Sequence, residues 1–287
     1  MRAVCWHTGR WCAVTGTQGR QSAGTLACPP VRTRLCRMIT ARTCTTLLPL
    51  LAVAAIGLVA APAQAATKRF GLVSFERIEV QGDMTIIVTP SSSLFAVADA
   101  STAALDTLVV EVQDRTLRVY QAAEGNYGPR ARNLGPITLR ISAQNVQQVA
   151  MLGSGTLRIA GLRGADVRVD LQGSGRIEAG VLAGQSVIAR TTGAGDIVLT
   201  GRAQTLTAIT RGAGSIDASA MPTRTVNVRT AGSGSSRFAA SQTAAINAAG
   251  SASVAVIGRP VCTVTNTGSG QVECGIAGRG ALSTPGN

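Results

Sequence analysis

Catalysis needs titratable or nucleophilic side chains that converge, and this chain offers few of them. Its one histidine, His7, lies near Cys5, Cys12, Cys28 and Cys36 at the N-terminal end. No C-x-x-C pair and no second histidine accompanies them, so no zinc ligand set is spelled out. The remainder of the chain has no histidine and cannot supply a Ser-His-Asp triad. Asp166, Asp170 and Arg190 are the one group that sugar cleavage could use, because it requires paired carboxylates, or a carboxylate with a basic partner, in a groove. A surface ion pair between Asp170 and Arg190 accounts for two of the three with no catalytic role. Sugar sites also favour aromatic platforms, and after residue 65 only Phe70, Phe75, Phe95, Tyr120, Tyr127 and Phe238 are available.

Glycine is the other conspicuous resource. A G-x-G triplet or near miss recurs at Gly153-Ser-Gly155, Gly173-Ser-Gly175, Gly193-Ala-Gly195, Gly212-Ala-Gly214, Gly232-Ser-Gly234, Gly250-Ser-Ala252 and Gly268-Ser-Gly270. These are not phosphate loops, since no helix follows and no Lys-Ser/Thr closes the motif. They are not calcium-binding nonapeptides either, because only Asp196 directly follows a triplet. Their first glycines are spaced by 20, 20, 19, 20, 18 and 18 residues, which is the signature of a repeat architecture.

Alignment on the triplet shows what the glycines position. Two residues after it stand Leu157, Ile177, Ile197, Ile216, Ser236, Val254 and Val272, and four after it Ile159, Ala179, Leu199, Ala218, Phe238, Val256 and Cys274. Four before it stand Val149, Val169, Ala189, Ala208, Val228, Ile246 and Val264, and two before it Met151, Leu171, Thr191, Thr210, Thr230, Ala248 and Asn266. Period-two alternation on both sides of a glycine predicts two short strands per coil meeting at a corner, each with one buried face. Glycine suits the corner, where the chain turns sharply and a Cβ has little room. A second corner is expected at Gly161, Gly180, Gly201 and Gly258.

The alternate, outward positions test this register. Arg158 precedes Glu178, Arg176 precedes Asp196, Asp170 precedes Arg190 and Asp217 precedes Arg237 in successive coils. Parallel stacking at about 4.8 Å makes each a neighbouring pair of opposite sign. Residues 72–145 differ in texture: Phe75–Gly82, Met84–Val88, Leu94–Val97, Leu108–Val112, Leu117–Tyr120 and Ile137–Ile141 read as opening strands and cap of the same stack.

Residues 38–65 carry Arg42, an apolar run from Leu47 to Ala61, and Ala63-Gln64-Ala65. This is the pattern of a signal peptide cleaved between Ala65 and Ala66. The run is shorter than the ~20 residues of a spanning helix, so no transmembrane segment is expected in the mature chain. Residues 1–37 then read as a disordered upstream extension, with Met38 the true start. Residues 66–71 are expected as a short tail, 72–275 as one domain (opening strands 72–145, coils 146–275), and 276–287 as a disordered tail. Five of the seven cysteines precede the cleavage point, which leaves Cys262 and Cys274 as a candidate disulfide in an oxidising compartment. Their offset within the last coil leaves buried free thiols as the alternative.

The chain carries 27 Lys+Arg against 14 Asp+Glu, a net charge of +13. Seven arginines and no acidic residue lie before residue 66, so the mature part holds 20 basic and 14 acidic residues, or +6. With no reading module in view, nucleic acid is not expected as a partner.

The order Phe75-x-x-Ile78-x-Val80-x-Gly82, Thr116-Leu117-x-Val119, Ile137-x-Leu139 and Val149-x-x-x-Gly153-Ser-Gly155, followed by GSG/GAG coils, resembles the putative auto-transporter adhesin head GIN domain family over residues 72–275. The resemblance implies a bacterial envelope or secreted β-helix-like solenoid with no catalytic residues to carry over. Right-handed coiling agrees with the crossover rule for parallel strands. Residues 276–287 contain nothing like a translocating barrel or a sortase signal. The expectation is an all-β parallel solenoid, exported to the periplasm, outer envelope or medium, non-catalytic, with no cofactor and no metal. Its candidate partners are an envelope glycan, an envelope protein or another copy of itself. The alternative is a carbohydrate-active enzyme on the same scaffold.

Overall fold

A computed structural model of the chain describes residues 66–122 and 135–276, together with Trp6, His7, Arg10 and Trp11. The chain divides into two units, Met1–Leu58 and Val59–Asn287. In the first, the antiparallel pair β1 (Trp6–His7) and β2 (Arg10–Trp11) is described. The expected signal peptide with Ala65, the upstream extension and the C-terminal tail after Ile276 lie outside the described residues.

The second unit is a β-solenoid of about six turns, and the described residues are 76% strand and 3% helix, which makes the chain all-β. Its regular part runs through β10 (Gln148–Gly153), β11 (Thr156–Gly173), β12 (Arg176–Gly193), β13 (Asp196–Gly212), β14 (Ser215–Gly232), β15 (Ser235–Gly250), β16 (Ser253–Gly258), β17 (Val261–Asn266) and β18 (Val272–Ile276). Successive coils pair in parallel with each triplet glycine over the one before: Gly153 beside Gly173, then Gly193, Gly212, Gly232 and Gly250. The second corner shows as breaks in register, between Ala160 and Arg163 in β11 and between Val181 and Gly184 in β12.

The inward columns are buried as the alternation requires. Leu157, Ile177, Ile197, Ile216 and Val254 have at most 2% exposure, as do Val149, Val169, Ala189, Ala208, Val228 and Ile246. The inward threonines Thr191, Thr210 and Thr230 are also buried, and Thr191 donates its hydroxyl to Gly195 O at 3.2 Å, as a buried hydroxyl must find a partner. The last coil departs from the pattern. Val264, in the inward column, is 45% exposed, because no described coil lies beyond β17 to cover it.

The corner at Gly193 is held by one carbonyl. Gly173 O accepts from Ala194 N and Gly195 N, both at 3.0 Å. Gly193 has φ of +116°, which glycine adopts without strain, and a Cβ there would meet Gly173 O at 2.4 Å. Gly195 has no unusual φ, but its Cβ would lie 2.6 Å from Gly175 O. Close stacking therefore requires both glycines of the triplet, and backbone conformation requires the first as well.

The start of the stack departs from simple coiling. β4 (Arg77–Gln81) and β5 (Thr85–Pro90) form a coil around Gly82, and β10 and β11 stack directly on it. Between them the chain makes an excursion through β6 (Phe95–Ala100), α1 (Thr102–Thr107), β7 (Leu108–Gln113), β8 (Thr116–Gln121) and β9 (Thr138–Ala143). β8 and β9 pair in parallel on the other side of β4 and β5. β7 then closes on β8 and β6 on β9, both antiparallel. The expected opening strands and cap are thus present, and the cap closes the stack through antiparallel pairs. Residues 66–71, expected as a tail, are β3 (Ala66–Gly71), antiparallel to β6. The helix is an addition to the expected strands; Ser101 caps it, accepting from Ala104 N at 3.3 Å, and Ala104 and Leu105 are buried.

Candidate functional site on the outer ladder faces

With the interior filled by side chains, contact with a partner falls to the outward columns. Three of the four expected charge ladders are formed. Arg158 pairs with Glu178 at 3.1 Å, Arg176 with Glu178 at 2.9 Å and with Asp196 at 3.8 Å, and Arg190 with Asp170 at 3.7 Å. The fourth is not: Asp217 stands beside Arg237 in the ladder, but its carboxylate accepts from Ser219 N at 3.0 Å and Ser219 Oγ at 2.6 Å. A local turn-like hydrogen bond outcompetes the cross-coil pair. In the cap, Arg118 pairs with Glu79 at 3.4 Å, and Arg115–Glu76 and Arg140–Asp99 are further pairs. Exposed pairs of this kind contribute roughly 0–1 kcal/mol each, so they fix register more than they stabilise.

The pKa of Asp170 is displaced. Burial raises it above its ordinary 3.8, while Arg190 and Arg168 pull in the opposite direction. A raised carboxylate is what a general acid requires, so its surroundings decide the enzyme alternative. Asp166 lies four residues away on the same strand, ~13 Å between Cα atoms at the strand rise of 3.3 Å, and Arg190 pairs with Asp170 and not with it. Glu79 shares the column of Asp170, two rungs away across Ala150, at ~9.6 Å. Each of these two is held by its own arginine, Arg118 on one side and Arg190 on the other, so they diverge. The structure thus brings Asp170 and Arg190 together and leaves Asp166 outside the pair.

No group of three or more potential metal ligands exists among the described residues. No helix among them is long and apolar enough to cross a membrane. At the end of the stack, Cys262 on β17 and Cys274 on β18 are joined as a disulfide, their Cα atoms 6.4 Å apart. The corner glycines Gly153, Gly155, Gly173, Gly175, Gly193, Gly195, Gly212, Gly214, Gly232, Gly234, Gly268 and Gly270 line no cavity among those described. The surface concavities lie elsewhere: one of about 350 Å³ over Arg158 and Glu178, one of about 560 Å³ at the second bend around Gly184 and Arg202, and one of about 360 Å³ spanning β13, β14, β15 and β17. Sequence reasoning found the ladders and missed the concavities, which arise from small residues in neighbouring coils.

Fold and surface together define a capped parallel β-solenoid with salt-bridged outer ladders. The family described as "Putative auto-transporter adhesin, head GIN domain" matches residues 74–260, more than half of the chain, and the chain belongs to that family. Among solved structures, a "putative adhesin" from Bacteroides fragilis is 20% identical with a TM-score of 0.64, covering 73% of this chain and 96% of that one. A "putative lipid binding protein" from Parabacteroides distasonis is 18% identical, with a TM-score of 0.59 and coverage of 74% and 97%. A "putative adhesin" from Parabacteroides merdae is 17% identical, with a TM-score of 0.55 and coverage of 74% and 96%. At these identities the likeness is one of fold. No curated protein matches the chain significantly.

Proposed function

We propose that this chain is an exported, non-catalytic binding module, a solenoid that presents its ladder faces to a ligand in the envelope or outside the cell. The observation that carries this reading is the state of its carboxylates. Asp170, whose pKa burial raises, is tied to Arg190 at 3.7 Å, with no second carboxylate paired to that arginine among the described residues. The adhesin descriptions of the family and of structural neighbours support a binding role. The packed interior argues against an enclosed lipid chain, since the inward columns are filled by Leu, Ile, Val and Phe238. Within this reading the Cys262–Cys274 link staples the open end of the stack, as an oxidising compartment permits.

The test is to incubate the protein with a panel of envelope and extracellular polysaccharides and to follow retention and reducing-end release together. Retention without release supports the proposal. Release that disappears in Asp170→Asn would establish the carbohydrate-active enzyme instead.

A further inference from the structure

Charge is distributed unevenly along the stack. Residues 66–196 hold 13 Lys+Arg and 12 Asp+Glu, whereas residues 197–287 hold seven arginines and only Asp217 and Glu273. Among the described residues, the coils after Asp196 hold six arginines against Asp217 and Glu273, and none of the six is ion-paired, in contrast to Arg158, Arg176 and Arg190.

Two of these arginines share a concavity. Arg211 on β13 and Arg229 on β14 border the groove of about 360 Å³ with Asn247, Thr265 and Thr267. Ladder register places Arg229 beside Ile209 and Arg211 beside Ala231, so the arginines are diagonal neighbours ~8 Å apart at Cα. Both are exposed, and neither guanidinium has an ion pair or hydrogen bond among the described residues. Asn247 and Thr265 continue the Arg229 column on β15 and β17. Ala231 and Ala249 form the low wall that makes the face concave.

We infer that this groove is a binding site for an acidic glycan, a carboxylate- or sulfate-bearing polysaccharide segment lying along the stack; the inference rests on the binding-module reading and supplies its ligand class. Two unpaired guanidinium groups ~8 Å apart at Cα repel one another, and an anion placed between them relieves that repulsion. Guanidinium offers planar, bidentate hydrogen bonding to carboxylate and sulfate. The amide of Asn247 and the hydroxyls of Thr265 and Thr267 suit sugar hydroxyls, and the alanines leave room for a ring. Nucleic acid fits poorly, because the groove has no aromatic side chain on which a base could stack. A peptide strand would instead add to the free edge of β17 through backbone hydrogen bonds, which leaves the Arg211 and Arg229 guanidinium groups unused.

The experiment measures binding of the full protein to polygalacturonate, dextran sulfate, neutral dextran and anionic phospholipid vesicles at physiological ionic strength. Binding to polygalacturonate or dextran sulfate and not to neutral dextran is expected. Arg211→Ala with Arg229→Ala should weaken it at least tenfold. Arg77→Ala with Arg163→Ala, which removes equal charge from exposed sites elsewhere, should change it less than twofold. Ala231→Glu, which places a carboxylate in the groove without removing an arginine, should also weaken it at least tenfold. Equal losses from both arginine pairs would overturn the site in favour of diffuse charge. Acidic-glycan binding untouched by the groove variants, or preference for vesicles, would overturn the groove assignment while leaving the binding-module proposal standing. Cleavage of the glycan would overturn both.

Discussion

Gly193 shows how much of this fold rests on atoms that are missing. Its φ of +116° is one penalty for any side chain, and the 2.4 Å between an added Cβ and Gly173 O is a second. Strain of a non-glycine residue at positive φ costs about 1–3 kcal/mol, and a forced contact in a packed region about as much again. Gly193→Ala is therefore expected to destabilise the protein by about 3 kcal/mol in urea denaturation. Gly71→Ala, with nothing within 4 Å of its Cβ and no positive φ, should stay within about 0.5 kcal/mol. Similar values for the two would refute the corner account. Asp170 gives a second residue-level expectation. Because burial raises its folded pKa above 3.8, the folded state binds the proton more tightly than the unfolded state. Its contribution to stability thus rises as pH falls through the folded pKa toward 3.8. An NMR titration of the Asp170 carboxyl should show a midpoint above 3.8, displaced further upward in Arg190→Ala, since Arg190 favours the charged form. A midpoint at or below 3.8 would contradict it.

The elements differ in how legible they are from sequence. Coils β10–β16 can be read because each inward column repeats at constant spacing, and burial follows the columns. Gly82 belongs to the same glycine ladder, and a Cβ on Gly153 would meet Gly82 O at 2.4 Å. Its membership is hidden because the cap excursion stretches the interval between the two far past the repeat. Helix α1 is hidden for another reason: Thr102–Thr107 is too short to show a helical period, and only Ser101 marks its start. Of the candidate site, the charge ladders are legible as consecutive pairs of opposite sign. The Arg211–Arg229 groove is not, because it depends on a diagonal relation between unpaired like charges. The end of the stack is also unreadable, since periodicity says nothing of which coil lies uncovered. There the Cys262–Cys274 link closes a 12-residue separation, and cross-links of that size contribute about 2–3 kcal/mol. Reduction should raise hydrogen exchange in β17 and β18 while β11–β14 stay protected. Unchanged exchange at the C-terminal coil would show that the link does not hold it.

At the scale of the whole molecule, the solenoid separates two jobs. Interior columns and glycine corners hold the stack, leaving the outward columns free to vary. Toward the cap that freedom is used for ion pairs that register the coils. In the C-terminal coils the pairs give way to unpartnered arginines over a concave face. Such a surface suits recognition of an extended ligand by many modest contacts. The most direct test follows protein and ligand in a single NMR titration, using the full chain and a polysaccharide that it retains. Amide shifts along one outer ladder face, with the ligand's anomeric signals unchanged in number, are the predicted result. New reducing-end anomeric signals, with shifts centred on Asp170 and Arg190, would contradict the account.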